Sequence, residues 1–343
     1  MLSGCTDEAV HPSFVATPAQ PCVMDDGAPA GLRRAARLTA ITLRQQPVGR
    51  ATRTTADLSV LAALSSQDVC RFVTSRCRWF RADEPARVTA YYEPHLAARP
   101  QRDERFRYPL YRLPGDATMA ALRERLGRTP TRADIDGGSA LDGLGLEIAW
   151  LEDPVERFFL HVQGSGRLVM SDGAVLAAAY AGNNGAEYRS VGSVMLQRGI
   201  LQRGKASASA MRAWLSAADP PERDELLFQN PRYVFFTLRE RARRRGPTGS
   251  LGVPLVPGRS VATDPAFVPP GSLLFLRTRR PLVDDAGALA GWEPLERFVF
   301  SHDSGAAIKG PARVDLYQGS GARAGAEAGY MNETGELFLL QCR

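Results

Sequence analysis

Beyond residue 250 the chain carries six short apolar runs at a steady spacing: LGVPLV, SVATD, GSLLFLRT, RFVFSHD, ARVDLYQG and ELFLLQ. Each is too short for a core helix and is bounded by glycine, proline or aspartate, so each predicts a strand. That cadence predicts a small β-barrel, because closure removes the open edges that short strands would otherwise expose. Glycine (32) and proline (24) are abundant, which favours turn-rich β architecture over a helical bundle. At 343 residues the chain is long for one ordinary domain and comfortable for two.

Upstream the texture differs. Residues 6–30 hold prolines, acids and alanines without periodicity and predict a linker or tether. Residues 31–46 have helical spacing, and a second helix is predicted from about Thr55 to Cys77, with Asp57 as its cap and Leu58, Leu61, Leu64, Val69 and Phe72 on its buried face. RVTAYYEPHLAARP reads as a strand entering a loop. GLEIAWLED, RFFLHVQGSGRLVMSDG and AVLAAAYA predict strands, residues 206–228 return to helix, and YVFFTLRE is again a strand. RERARRRGPTGSLG is a basic loop at a domain seam, with Arg239 to Arg245 as its solvated charge run.

Several function classes fall away. The net charge of +6 suits an anionic polymer without pointing to nucleic acid. No stretch approaches the roughly 20 apolar residues that span a bilayer. Leu2-Ser3-Gly4-Cys5 has the order of a bacterial lipoprotein processing site, or is a chance run of common residues. On the first reading Cys5 is the lipid attachment point and the signal segment that normally precedes it is missing. No cysteine pair has CxxC spacing, and His11, His95, His161 and His302 are scattered, so neither a metal nor a cofactor is expected. A Cys22–Cys342 bridge and free buried thiols are equally open, whereas Cys70 and Cys77 on one helix would lie roughly 10 Å apart, too far to bond.

What remains is carboxylate chemistry. SHDSGAAIKGPARVDLYQG, residues 301–319, sets Asp303, Lys309 and Asp315 among glycines between apolar runs. Two carboxylates beside a scissile bond are what glycoside hydrolysis usually requires. The same aspartates are equally the residues of ordinary turns, with Lys309 a solvated loop charge.

Ordered blocks along the chain resemble the membrane-bound lytic murein transglycosylase A (MltA) family. They are YYEP (91–94), YPLYRLP (108–114), HVQGSG (161–166), YAGNNGAEYRSVG (180–192), NPRYVFF (230–236), VPLVPGRSVATD (253–264), PPGSLLF (269–275) and DSGAAIKGPARVDLYQGSGARAGAEAGY (303–330). The resemblance implies a mainly β fold with N-terminal helices. A double-psi β-barrel domain would comprise residues 31–93 and 242–343, after a tether at 1–30. A smaller β domain, 94–241, would be inserted, with a glycan groove between the two. It also implies cleavage of the β-1,4 link between N-acetylmuramic acid and N-acetylglucosamine in peptidoglycan, leaving a 1,6-anhydro end.

The family's catalytic aspartate falls on Asp315, with Asp303 in support and Asp264 completing a three-aspartate pattern. Asp315 needs a raised pKa, from burial or from a neighbouring carboxylate. Candidates for sugar contact are Tyr91, Tyr92, Gln163, Ser165, Tyr180, Asn183 and Tyr188, with Asp264 and with Lys309 at the rim; each tyrosine is as readily a core aromatic. The implied partners are glycan strands, the outer membrane's periplasmic face through lipid on Cys5, and proteins of cell-wall synthesis or hydrolysis. Other readings are a non-catalytic murein-binding lipoprotein and a lysozyme-like hydrolase using the Asp303–Asp315 pair. The family's loop commonly reads glycine-glycine where this chain has Gly305-Ala306, which strains the loop if φ there is positive.

Overall fold

The computed structural model describes residues 10–18, 25–45, 58–64, 66–202, 207–240 and 246–342. Strands β1 (Phe14–Thr17), β2 (Cys77–Ala82) and β3 (Ala86–Glu93) precede six further strands: β4 (His95–Arg99), β5 (Tyr108–Tyr111), β6 (Glu147–Leu151), β7 (Ser165–Val169), β8 (Val175–Asn183) and β9 (Val234–Glu240). Then come β10 (Ser260–Ala262), β11 (Leu273–Val283), β12 (Leu289–Asp303), β13 (Arg313–Ser320) and β14 (Asn332–Cys342). The helices used below are α1 (Pro29–Gln45), α2 (Ser66–Arg76), α3 (Asp116–Leu126), α4 (Pro154–Gln163), α5 (Val191–Gln197), α6 (Ala208–Ala217), α7 (Pro220–Phe228) and α8 (Ala322–Tyr330).

The fold is mainly β, with a barrel and a second sheet. Pairing runs β3–β14–β11–β12–β10–β13, and β13 returns to β3, so six strands close a ring from which β2 and β1 extend. The pairs β10–β12 and β13–β3 are parallel. The second sheet, β5-β6-β4-β7-β8-β9, is built wholly from the chain between β3 and β10.

Strands β11, β12 and β14 are apolar on both faces through Leu273–Leu276, Phe298–Phe300 and Leu337–Leu340, which is why their sequences read as continuous runs. Leu274 and Leu276 of β11 pack with Val88, Val299, Val314 and Leu339 in one cluster. Their neighbours Leu273 and Phe275 pack in another with Trp79, Phe298, Phe338 and the apolar sides of α1 and α2. On β13 the alternation sends Val314 and Leu316 into the first cluster and leaves Arg313 and Asp315 on the opposite face.

Several expectations need correction. RFFLHVQ is not strand but helix α4, with β7 starting only at Ser165. Asp153 caps it, its carboxylate accepting from the Val155 and Glu156 amides, Pro154 sits in the first turn, and Gly164 ends it at φ 76°. LGVPLV forms only a bridge between Thr248 and Pro254, since proline brings no N–H to a ladder.

Two pieces of the stretch expected as a tether are built into the barrel: β1 pairs with β2, and Asp25 and Asp26 hold Arg259 and Arg297. Leu58 and Leu61 are buried in a short helical turn, but the continuous helix α2 begins at Ser66 and the chain is already strand at Cys77. A Cys22–Cys342 bridge is excluded because Cys342 is bonded to Cys77, its directly opposite neighbour on β2. Cys70 is not a free thiol. Asp57, Cys5, Cys22 and Arg241–Arg245 lie outside the described residues.

Candidate active site

The short strand β10 brings the two aspartates together. Ala262 is the register partner of Asp303 on one side and of Asp315 on the other. Their Cα atoms are therefore two strand spacings apart, roughly 10 Å. On its far side β13 pairs with β3, placing Thr89 beside Asp315 and Tyr91 beside Tyr317.

Asp315 is half-buried. Burial pushes its pKa up, as does the charge of Asp303; the Arg313 guanidinium and a hydrogen bond from Thr89 pull the other way. The Thr89 hydroxyl donates to Asp315 Oδ1. Arg313 Nη2 donates to Thr89 Oγ1 at 2.8 Å. Tyr188, on the chain between β8 and α5, lies near enough to feel the charge of Asp315. A carboxyl so placed holds a proton more readily than one in water.

Asp303 is differently employed. Oδ1 accepts from the amides of Ser250 and Ser304, both at 2.9 Å, and Oδ2 from the Tyr91 hydroxyl at 2.9 Å. Burial raises its pKa against these bonds, and burial with the Asp303 charge holds Tyr91 protonated as a donor. With both oxygens engaged, Asp303 is poorly placed to attack a substrate. The adjacent His302 is fully buried between Thr39 and Ser260, and burial lowers its pKa to about 3. It faces away from this chemistry. Among the described residues no three His, Cys, Asp or Glu side chains converge as metal ligands would, and no helix is long and apolar enough to cross a membrane.

Residues 87–237 match the MltA specific insert domain and residues 259–341 the 3D domain. Membrane-bound lytic murein transglycosylase A of Escherichia coli K12 is 38% identical over 254 residues, 74% of this chain and 65% of that protein. The Vibrio cholerae protein of the same name is 38% identical over 74% of this chain and 64% of its own. The match thus spans just under two thirds of these curated relatives. The crystal structure of a membrane-bound lytic murein transglycosylase from Agrobacterium tumefaciens superposes with a TM-score of 0.80, at 30% identity over 96% of this chain and 98% of that one. The chain belongs to the MltA family. Escherichia coli MltA with bound chitohexaose superposes with a TM-score of 0.75, at 29% identity over 99% of this chain and 97% of that one.

The other MltA-like positions sort by what holds them. Tyr92 ties barrel strand β3 to helices α4 and α6: its amide donates to Gln163 Oε1 at 2.9 Å, and Arg212 of α6 donates to its hydroxyl at 3.2 Å. Beside them buried Glu93 pairs with Arg167 at 2.8 Å. Ser165 opens β7, half-buried. Tyr180 is 50% exposed on β8, its hydroxyl accepting from Asn183 at 2.6 Å, which leaves its ring open to solvent.

Asp264 is buried, and its carboxylate accepts from the Gly310 amide at 3.0 Å and the Ala266 amide at 3.2 Å, so it holds the 305–310 loop in place. Lys309 is 68% exposed and only 3.9 Å from Asp264, on the rim. Ala306 has no positive φ, so it fits the loop without strain. A surface cavity of about 420 Å³ lined by Tyr108, Val155 and Arg223 shares no residue with this site. Thr89 and Arg313 were not among the sequence candidates. Strand alternation puts Arg313 on the face of Asp315, but Thr89 arrives only through a pairing 226 residues away in sequence.

Proposed function

We propose that the protein is a peptidoglycan lytic transglycosylase that cuts the β-1,4 bond between N-acetylmuramic acid and N-acetylglucosamine with Asp315 as its single acid and base. The observation that carries this reading is the placing of Asp315: half-buried on the face of β13 opposite Val314 and Leu316, bonded to the neutral Thr89 hydroxyl, in surroundings whose burial raises its pKa. Protonated Asp315 gives its hydrogen to the glycosidic oxygen as the bond to the anomeric carbon breaks. The C6 hydroxyl of the same muramoyl residue then closes on that carbon, and its proton returns to Asp315. The nucleophile is tethered in the substrate, so proximity replaces a second enzymic carboxylate.

The saturated hydrogen bonding of Asp303 favours this reading over a two-carboxylate hydrolase. Its negative charge supports the proton on Asp315 and positive charge at the reacting sugar. Tyr180 offers a ring face to the glycan, as aromatic floors do in sugar sites. A disulfide joining Cys77 and Cys342 suits an oxidising compartment such as the periplasm, and lipid on Cys5 would hold the enzyme to a membrane surface.

The test is to incubate purified protein with murein sacculi and weigh the soluble products. Anhydromuramoyl ends support the reading, with Asp315→Asn releasing nothing. Reducing ends, heavier by one water, would establish hydrolysis, and no release would leave a binding protein.

A further inference from the structure

Arg313 and Asp315 share one face of β13, and Thr89 of β3 stands between their side chains. Arg313 Nη2 donates to the Thr89 oxygen at 2.8 Å, and the Thr89 hydroxyl in turn donates to Asp315 Oδ1. No ion pair joins Arg313 to Asp315 directly, although both are described. A hydroxyl has one hydrogen to give. With its oxygen occupied by a guanidinium, which can only donate, the Thr89 hydrogen has Asp315 as its acceptor. The guanidinium is itself fixed, Nη1 donating to the Val314 carbonyl at 2.7 Å.

We infer that Thr89, oriented by Arg313, is a positioning residue that makes Oδ1 of Asp315 the standing hydrogen-bond acceptor and leaves Oδ2 as the atom that carries and transfers the proton. This rests on Asp315 being the acid of the proposed reaction.

The interposed threonine solves a conflict. A guanidinium bonded directly to Asp315 would hold it ionised, which disables it as an acid. Removing the cation would leave the carboxyl free to rotate, with its proton on either oxygen. Passed through a neutral hydroxyl, the cation aligns the carboxyl at a distance where burial still dominates the proton affinity. The other groups facing Asp315 do not duplicate this function: Asp303 and Tyr91 bond each other, Tyr188 is tied to Ser190, and Arg87 donates to Asn332.

Thr89→Val keeps the β-branched shape that suits a strand and removes only the hydroxyl. The expected result is a kcat on sacculi lower by roughly 10- to 100-fold, the scale on which misplacing a catalytic group acts. KM should hardly change, because Thr89 is bonded to enzyme groups. The Thr89 bond lowers the Asp315 pKa, so its loss raises that pKa and moves the alkaline limb of the kcat–pH profile to higher pH. Thr89→Ser should restore both rate and limb.

Two results would overturn the inference: a Thr89→Val profile that superposes on wild type, or a Thr89→Ser variant as impaired as the valine. Should Thr89→Val fold poorly, Arg313→Gln supplies the second route, since it removes the charge that orients Thr89; unchanged kcat there overturns the inference equally. Asp315→Asn is assayed alongside. If it still turns over, the reading of the reaction has failed, whereas an inactive Asn variant beside a fully active valine variant sinks only the role of Thr89.

Discussion

On the proposed reaction Asp315 starts protonated, and its surroundings would suit a neutral side chain at least as well. In the folded protein Asp315 has a pKa raised above the roughly 3.8 of the unfolded chain. Between those values the native state binds more protons than the unfolded state. The associated stability is therefore fully present below 3.8 and is lost as pH rises through the folded pKa. Asp315→Asn has nothing to ionise, so it should melt above the wild type at pH 7, by about 2 °C or more, with the gap closing toward pH 3. Thermal melts of both proteins across that range check this. An asparagine variant that melts no higher at pH 7 would mean that the site does not resist the ionised form. The same raised pKa places the alkaline limb of activity above the usual aspartate range.

Helix α1 is held to the barrel by a buried chain of hydrogen bonds whose direction follows from its ends. Thr39 donates its hydrogen to the Ala35 carbonyl at 2.8 Å, so its oxygen accepts from His302 Nε2 at 2.7 Å. His302 Nδ1 then accepts from Ser260 at 2.8 Å, and the ring is neutral with its proton on Nε2. Burial lowers the His302 pKa to about 3, against about 6.5 unfolded. Here the unfolded state binds the extra proton, so the stability is full above pH 6.5 and lost as pH falls toward 3. His302→Gln should flatten the acid side of the stability curve; chemical denaturation at pH 7 and pH 4 measures it, and an equal loss in both proteins would remove His302 from the account. Such elements also show what a sequence makes legible. The barrel strands were readable because turn residues bracket each apolar run. Helix α4 was not, because the short apolar run FFL inside RFFLHVQ shows no clear period, and a buried helix and a buried strand then look alike. Its evidence lay at the ends, in Asp153-Pro154 and Gly164. Asp315 and Asp303 became candidates through the family's pattern, whereas Thr89 needed a strand pairing that no local pattern encodes.

At the scale of the whole chain, the barrel is assembled from segments far apart in sequence, and the second sheet occupies the chain between them. Cys77 opens β2 and Cys342 closes β14, and their bond spans 265 residues. It therefore closes a loop containing the second sheet and every strand of the barrel sheet except β1. A cross-link over so long a loop removes much of the freedom of the unfolded chain, an effect worth about 3–5 kcal/mol. The site depends on that closure. β14 pairs with β3 at Asn332 and Thr89, so a loosened C-terminal strand would disturb the strand that carries Thr89. The double variant Cys77→Ser, Cys342→Ser leaves no stray thiol from this pair and should unfold at lower denaturant, with a melting temperature roughly 5 °C below wild type. Activity at 20 °C should persist, because Trp79, Phe275 and Phe338 still pack the same strands together. Loss of activity should instead track the melt as temperature rises. An unchanged unfolding midpoint would show that the barrel's packing alone fixes β14, and that the bond contributes nothing to closing the ring.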